Sequence, residues 1–348
     1  GYNAILENGI VQFEKYYELK NQPVDISEDK AIEEIDKRFR DAVSLAFEKD
    51  REYGYKHIAA LSGGLDSRMT VCVAHDLGYT DQLNLTFSKS NYLDETIPKK
   101  IADDLKHEWL FKSLDNGNFL MSLDEVTQIT GGNVTYYGIA HGMSLFRYMN
   151  FEKLGILHSG QLAFAISGLH FSNTDENFQG KINGIVNHKK INFKGDYKNI
   201  EILSAYIKGF YNVNQGNHGI QKLTETYSPF YDIDFMDFAL SIPNEIRFDH
   251  NIYKKWIIKK YPDAAKYVWE KEKVAVNYKY RIKIRGRKIP LNQLLLKILS
   301  KLGIEKYGID KKNHMNPIVY WYQNNPELRN YIDNYYRENI HYLKPYNE

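Results

Sequence analysis

The sequence has a single cysteine, Cys72. An internal disulfide and any cysteine-rich zinc site are therefore excluded, and a reducing, cytoplasmic setting is expected. Also missing is an apolar run near the ~18 residues that cross a bilayer, so no membrane association is expected. Charge of one sign is missing as well: 46 basic residues against 44 acidic ones leave +2. That balance argues against a mainly electrostatic nucleic-acid binder, and no nucleic-acid partner is expected. The opening segment GYNAILENGIVQFEKYYELK lacks both a basic-then-apolar signal and an initiator Met, so a trimmed or processed chain is expected. What the 348 residues do contain is globular in composition, 43% hydrophobic and 26% charged. That suffices for one large domain or two smaller ones. The 28 tyrosines, beside many Asn and Lys, read as compositional bias rather than chemistry.

Residues 1–22 alternate in places and predict a short strand pair or lead-in. After a break at Pro23, Ser27 opens a helical pattern through Ile32, Ile35, Phe39, Val43 and Phe47. His57–Leu61 predicts a buried strand. A Gly-rich turn follows, then a helix from about Leu65 to Leu77 with Gly78 placed to end it. Leu83–Phe87 predicts a second strand and Asp94–Leu105 a second helix. That order indicates an α/β fold, a parallel sheet with flanking helices. Asn133–Leu154 reads as helix and Gly155–Leu157 as a buried strand. Residues 172–200, rich in Asn, Lys, Gly and Asp, read as an exposed loop or lid. Residues 201–260 are mostly helical, 291–302 forms an amphipathic helix, and Asn316–Leu343 carries aromatics at helical spacing, so the C-terminal half is helix-rich. With no repeat and no clear linker, 23–348 reads as one domain.

Ser62-Gly63-Gly64-Leu65-Asp66-Ser67 is the strongest chemical signal. It lies between a buried strand and a helix N-terminus, where backbone N–H groups and the helix dipole favour an anion. Two glycines let the backbone approach a phosphate closely. The Ser62 and Ser67 hydroxyls can donate to phosphate oxygens. Asp66 suits Mg²⁺, which takes hard carboxylate oxygens together with phosphates. No Gly-Lys-Ser/Thr follows, so this is not a Walker A loop. The plain alternative is a glycine turn with a Ser/Asp helix cap.

The hexapeptide resembles the pyrophosphate loop of the N-type ATP pyrophosphatases, the PP-loop enzymes with an adenine nucleotide α-hydrolase-like fold. Further segments resemble the asparagine synthetase family. These are LTFSKSNYLDETIPKKIADDL, the run Ile156-Leu157-His158-Ser159-Gly160-Gln161, Tyr227-Ser228-Pro229-Phe230-Tyr231-Asp232 with Ala239–Pro243, Lys255–Lys259, and Lys271-Glu272-Lys273. The resemblance spans roughly residues 10–340. It implies an ATP-dependent carbon–nitrogen ligase that adenylates a small-molecule or peptide carboxylate, releases pyrophosphate and passes the acyl group to ammonia or an amine. By position, Ser62, Gly63, Gly64, Asp66 and Ser67 would hold pyrophosphate and Mg²⁺. Leu85, Thr86 and Phe87 would offer backbone groups to adenine. Ser159 and Gly160 would flank the ATP pocket. Lys273 would neutralise charge on the α-phosphate, with Lys271 as the alternative register. Each has a plain reading too: Leu85 and Phe87 as sheet core, Lys273 as a solvated residue, Asp94 and Glu95 as charges complementing a helix dipole, and the Ser-Pro-Phe-Tyr-Asp block as a structural turn.

The sequence departs from the pattern in two places. The family's second metal carboxylate falls on Phe164, which cannot ligate Mg²⁺, and Gln161 is no acid or base at neutral pH. Asp175 or Glu176 on the following loop would be the replacement; failing that, metal binding is weakened. The catalytic N-terminal Cys of a glutaminase domain has no counterpart at Gly1, and Cys72 falls inside the loop helix. Residues 1–22 resemble a domain junction, so a glutaminase domain or subunit as ammonia source is one expectation and a stand-alone enzyme using ammonia or a substrate amine the other. Two further readings stand beside the ligase: a non-catalytic nucleotide-binding relative, and an RNA-modifying PP-loop enzyme suggested by the basic run Lys279, Arg281, Lys283, Arg285, Arg287 and Lys288.

Overall fold

The protein is described from a computed structural model, which covers residues 1–168, 200–284, 287–301, 312 and 314–342. Its strands and helices in chain order are β1 Tyr2–Glu7, β2 Ile10–Lys15, α1 Glu28–Tyr53, β3 Lys56–Ala60, α2 Asp66–Asp76, β4 Gln82–Ser88, α3 Leu93–Leu105, β5 Glu108–Ser113, α4 Leu123–Thr130, α5 Tyr137–Phe146, β6 Leu154–His158 and α6 Phe164–Ser167. There follow α7 Ile200–Ser204, β7 Thr226–Tyr227, α8 Ile233–Ser241, α9 Asn244–Arg247, α10 Asn251–Lys260, α11 Pro262–Ala265, β8 Val268–Trp269, β9 Val274–Ala275, β10 Arg281–Ile284, β11 Arg287–Pro290, α12 Leu291–Lys301, α13 Ile318–Asn324 and α14 Pro326–Asn339.

Among the described residues, β5-β4-β3-β6-β7 form one sheet in that order, with every neighbouring pair parallel. From β3 the chain winds outward through β4 to β5, then returns to lay β6 on β3's other side. The reversal falls between β3 and β6, and a crevice beyond strand C-termini is where such sheets bind ligands. One sheet face carries Ile58, Leu85 and Leu157 against Val126, Ile139, Met143 and Phe146 of α4 and α5. The other carries Ala59 and Leu61 against Val71 of α2 and Ile97 and Ile101 of α3.

The largest apolar cluster lies along α1. Ser27 caps that helix, accepting from the Lys30 amide, and Glu28 and Asp29 sit in its first turn. Ile35, Phe39, Val43 and Phe47 recur at helical spacing and pack with Phe230, Phe235 and Trp256. Asp50, near the end of α1, is buried. Its Oδ2 accepts from His57 Nδ1 at 2.9 Å and His158 Nε2 at 2.7 Å, and its Oδ1 accepts from the Ile156 amide at 2.8 Å. These bonds tie α1 to β3 and β6.

β4 alternates Gln82, Asn84, Thr86, Ser88 with Leu83, Leu85, Phe87, yet its polar side is buried rather than wet. His107 Nδ1 meets Asn84 Oδ1 at 3.0 Å, and Thr86 donates to the Leu61 carbonyl at 2.8 Å. Three elements depart from the sequence reading. The helix over Asn133–Leu154 shrinks to Tyr137–Phe146, because Gly131 and Gly132 take positive φ before it and the Asn150 side chain accepts from Glu152 N after it. β5 and the short β7 were not anticipated; β5 is a sheet-edge strand with a weak, partly exposed pattern. The anticipated strand pair in residues 1–22 is a hairpin turning at Asn8-Gly9, both at positive φ. The segment 172–200 lies outside the described residues except for the start of α7. No helix of the described residues is long and apolar enough to cross a membrane.

Candidate active site

β3 ends at Ala60 in the middle of the sheet and α2 begins at Asp66, so Ser62–Leu65 turns at the switch point. Leu61 N–H still pairs with the Leu85 carbonyl at 2.9 Å. The turn then bonds to itself. The Ser62 amide donates to Ser67 Oγ at 3.0 Å, the two hydroxyl oxygens lie 2.9 Å apart, and the Gly64 amide donates to Ser62 Oγ at 3.2 Å. Gly63 is forced to be glycine by crowding. A Cβ there would lie 2.9 Å from Glu270 Cβ and 3.1 Å from both Asp94 Oδ1 and the Leu93 carbonyl. Its amide donates to Asp94 Oδ1 at 2.8 Å.

The turn after β6 packs directly onto this one. A Cβ on Gly160 would fall 2.2 Å from Ser67 N and 2.4 Å from Asp66 C, so only glycine allows the two turns to touch. Thr70 of α2 donates to the Ser159 carbonyl at 3.1 Å, fixing the same approach. Ser62, Gly63, Gly64, Asp66, Ser67, Ser159 and Gly160 are thus brought together.

Asp66 is half-buried and accepts from Tyr253 Oη at 3.0 Å. Burial pushes its carboxyl up to about 6, while the Tyr253 hydrogen bond and the Lys271 charge work the other way. Asp94 is 6% exposed and is likewise pushed up to about 6, by burial first; the Gly63 amide opposes that and Glu270 adds to it. Arg68 is fully buried behind the turn. Its guanidinium donates to the carbonyls of Gly63 (3.2 Å), Ala264 (3.2 Å), Tyr267 (3.2 Å) and Val268 (2.6 Å), and burial pulls its pKa down to about 10.

The β8–β9 hairpin closes the other side. Glu270 N donates to the Gly63 carbonyl at 3.0 Å. Lys273, at φ +59°, extends Nζ to Glu270 Oε1 at 2.7 Å and Tyr92 Oη at 3.1 Å. Lys271 lies over the Trp269 ring, its Nζ 5.4 Å from the centroid, and its charge bears on Asp66. Lys273 is therefore paired to a carboxylate beside the turn, while Lys271 acts on Asp66 through charge alone.

Leu85 and Thr86 are sheet interior: Leu85 is in the apolar core, and Thr86 Oγ1 donates to Leu61 and accepts from Trp109 Nε1 at 2.9 Å. Phe87, at the strand's C-terminal end, is half-buried against His141 and Phe146. Phe164 packs edge-on to Phe210, with ring centroids 6.4 Å apart, and beside Gly209. Asp175 and Glu176 lie outside the described residues. Ser228 donates to the Gln161 carbonyl at 2.8 Å and caps the Pro229–Tyr231 turn, so that block supports the second turn structurally. Lys255 and Lys259 point away, to Glu28 and to Asp29 and Glu33 of α1. Cys72 packs between two apolar clusters, and burial pushes its thiol up to about 12. Arg281 and Lys283 stand on β10 and Arg287 and Lys288 on β11, a separate hairpin; Arg285 lies outside the described residues.

Tyr253, Arg68, Tyr92 and Glu270 were missed by sequence reasoning. Arg68 could have been suspected, since a charged residue on the inward side of a loop helix needs several acceptors. The other three arrive from distant segments without a local pattern. For a divalent cation, Asp66 offers the one carboxylate of the two that the resemblance implies. Mg²⁺ is commonly held by one or two carboxylates plus phosphate oxygens and water, so the residues fit it through Asp66.

No protein-family model matches the chain, and no curated protein matches it. Among solved structures, an NMN synthetase from Francisella tularensis is similar at 18% identity and a TM-score of 0.29, over 41% of this chain and 59% of that one. An NH3-dependent NAD synthetase from Campylobacter jejuni is similar at 15% identity and a TM-score of 0.29, over 41% and 61%. The chain thus covers less than two thirds of either structure. A U34-tRNA thiolase from Methanococcus maripaludis is similar at 13% identity and a TM-score of 0.34, over 69% and 77%. Nothing about activity follows from similarities this slight.

Proposed function

We propose that the chain is an ATP-dependent amide-forming ligase of the asparagine synthetase type. It would activate a carboxylate as an acyl-adenylate, release pyrophosphate and transfer ammonia or an amine. The observation that carries this reading is the contact of Gly160 with the Asp66–Ser67 backbone. It makes the turns after β3 and β6 one floor, with hydroxyls, amides and a carboxylate converging at the sheet's switch point. In this reading pyrophosphate rests on Ser62, Gly63, Gly64 and Ser67 at the start of α2. Mg²⁺ would be held by Asp66, where it supplies positive charge against the phosphates. Adenine would meet β4 at its C-terminal end, Phe87, with Leu85 and Thr86 holding the strand from the sheet interior, and Ser159 and Gly160 would bound the adenylate. Lys273 or Lys271 supplies a compact cation to the α-phosphate. The acceptor amine comes from free ammonia, a substrate amine, or a glutaminase domain or subunit.

The test is pyrophosphate release from ATP and Mg²⁺ in the presence of a panel of amino-acid and peptide carboxylates. Asp66→Asn is expected to lower it by at least ~100-fold, the scale of a lost electrostatic group at a reacting centre. Turnover unchanged in that variant would remove Asp66 from the site. Phe164 supports a second reading, because it places a packed aromatic where a metal carboxylate is expected. ATP binding without pyrophosphate release for any acid would favour that reading, a nucleotide-binding relative without turnover.

A further inference from the structure

The three amides that open the turn are held in different ways. Those of Ser62 and Gly64 donate to the Ser67 and Ser62 hydroxyls. A hydroxyl is neutral and can rotate to donate to an incoming phosphate. The Gly63 amide instead donates to a carboxylate, Asp94 Oδ1 at 2.8 Å, which reaches across from the first turn of α3. Two anions cannot share that donor. The surroundings do not cancel the Asp94 charge. Glu270 faces it with a like charge. Lys273 is already shared between Glu270 and Tyr92, and His314 adds only a smaller opposing influence.

Resting on the anion-loop reading above, we propose that Asp94 is an internal competitor for pyrophosphate: its carboxylate occupies the Gly63 amide and gives it up when a phosphate oxygen binds there. The bond is non-covalent and simply changes acceptor. Its return would help expel pyrophosphate once that product has formed. The dipole of α3 offers Asp94 a resting place after displacement, since acidic residues are favoured in a first turn. The raised pKa of the carboxyl is in keeping with an anion that burial tolerates poorly.

The test uses inorganic pyrophosphate as probe, titrated calorimetrically at pH 8 into the wild-type chain, Asp94→Asn and Asp94→Ala. Asn keeps an oxygen acceptor for the Gly63 amide and removes the charge; Ala removes both and covers the case in which the first variant does not fold. Removing a like charge at contact range should tighten pyrophosphate at least ~tenfold in both variants. A purely structural bond predicts the opposite, since losing the brace would loosen the turn and weaken binding. Unchanged or weaker binding by the variants, with the wild type binding, overturns the inference and leaves the anion-loop reading standing. Pyrophosphate binding by none of the three overturns both.

Discussion

The turn after β3 and the turn after β6 leave neighbouring parallel strands at the same end of one sheet, yet their chemistry is opposite. The first is built of serines, glycines and Asp66, and its amides and hydroxyls bond within reach of the crevice. The second opens on Ser159-Gly160-Gln161 and then runs through Leu162 at φ +67° into half-buried Phe164 and buried Ala165 and Ile166. Each turn is braced by a fully buried arginine. The Arg68 hydrogen bonds go to four backbone carbonyls. Arg247 donates to the Ala165 carbonyl but also forms a two-pronged pair with Glu201, at 2.7 and 3.1 Å. Carbonyl dipoles hold the two terminal nitrogens of Arg68 without neutralising its charge, so a positive charge remains under the turn that would meet phosphate. The pair with Glu201 cancels the charge under the other turn. One turn is equipped to meet an anion and its neighbour to be a wall.

The largest effect expected from breaking this contrast is in the wall. Glu201→Ala leaves Arg247 buried beside lost acceptors, and urea denaturation should show a loss of about 3–5 kcal/mol. A loss below about 1 kcal/mol would mean that the pair is dispensable to the second turn. Next comes the seam. Gly160→Ala inserts a methyl 2.2 Å from Ser67 N and should cost about 1–3 kcal/mol through overpacking. It should also abolish pyrophosphate binding. The same change at Gly138 of α5, where a Cβ would meet nothing within 4 Å, should do neither. Equal behaviour of the two variants would erase the special role of the seam.

The smallest expected effect concerns pH. The Asp94 carboxyl sits at about 6 in the folded chain against an ordinary 3.8. The folded state therefore binds the proton more tightly, and this residue's contribution to stability falls as pH rises through that window. Asp94→Asn should consequently gain on the order of 1–2 kcal/mol at pH 8 relative to its effect at pH 3. Thermal melts at the two pH values would settle it, and a gain of equal size at both would mean that charge is not the cause.

The first turn was legible in the sequence because its signal is local. Strand, Ser-Gly-Gly, acid, Ser and helix follow one another within about a dozen residues, and α1 to α3 show their apolar spacing openly. The second turn was legible through Ser159-Gly160, but what Gly160 touches was not, since its partner lies in α2. β4 shows how a pattern misleads: alternation suggests one wet face, whereas Gln82, Asn84 and Thr86 are buried and bonded. Tyr253, Tyr92 and Glu270 were beyond reach for a related reason, because a residue that meets the turn from far along the chain leaves no mark near it. The two lysines of the late basic motif stood as alternatives in the sequence, and the hairpin pairs Lys273 with Glu270 while laying Lys271 over the Trp269 ring.

The hydrogen bond from His158 to Asp50 joins residues 108 positions apart in the chain. Contacts of such long sequence separation form slowly, because a large loop must close before anything is gained. The strands β3, β4 and β5 with their crossovers need no residue beyond Ser113, so this half of the sheet can assemble while later segments are still unfolded or unmade. The two halves of the crevice thus differ in their reach along the chain: the Ser62–Ser67 turn joins neighbouring elements, whereas its opposite wall depends on β6 pairing with β3 across a far longer stretch of sequence.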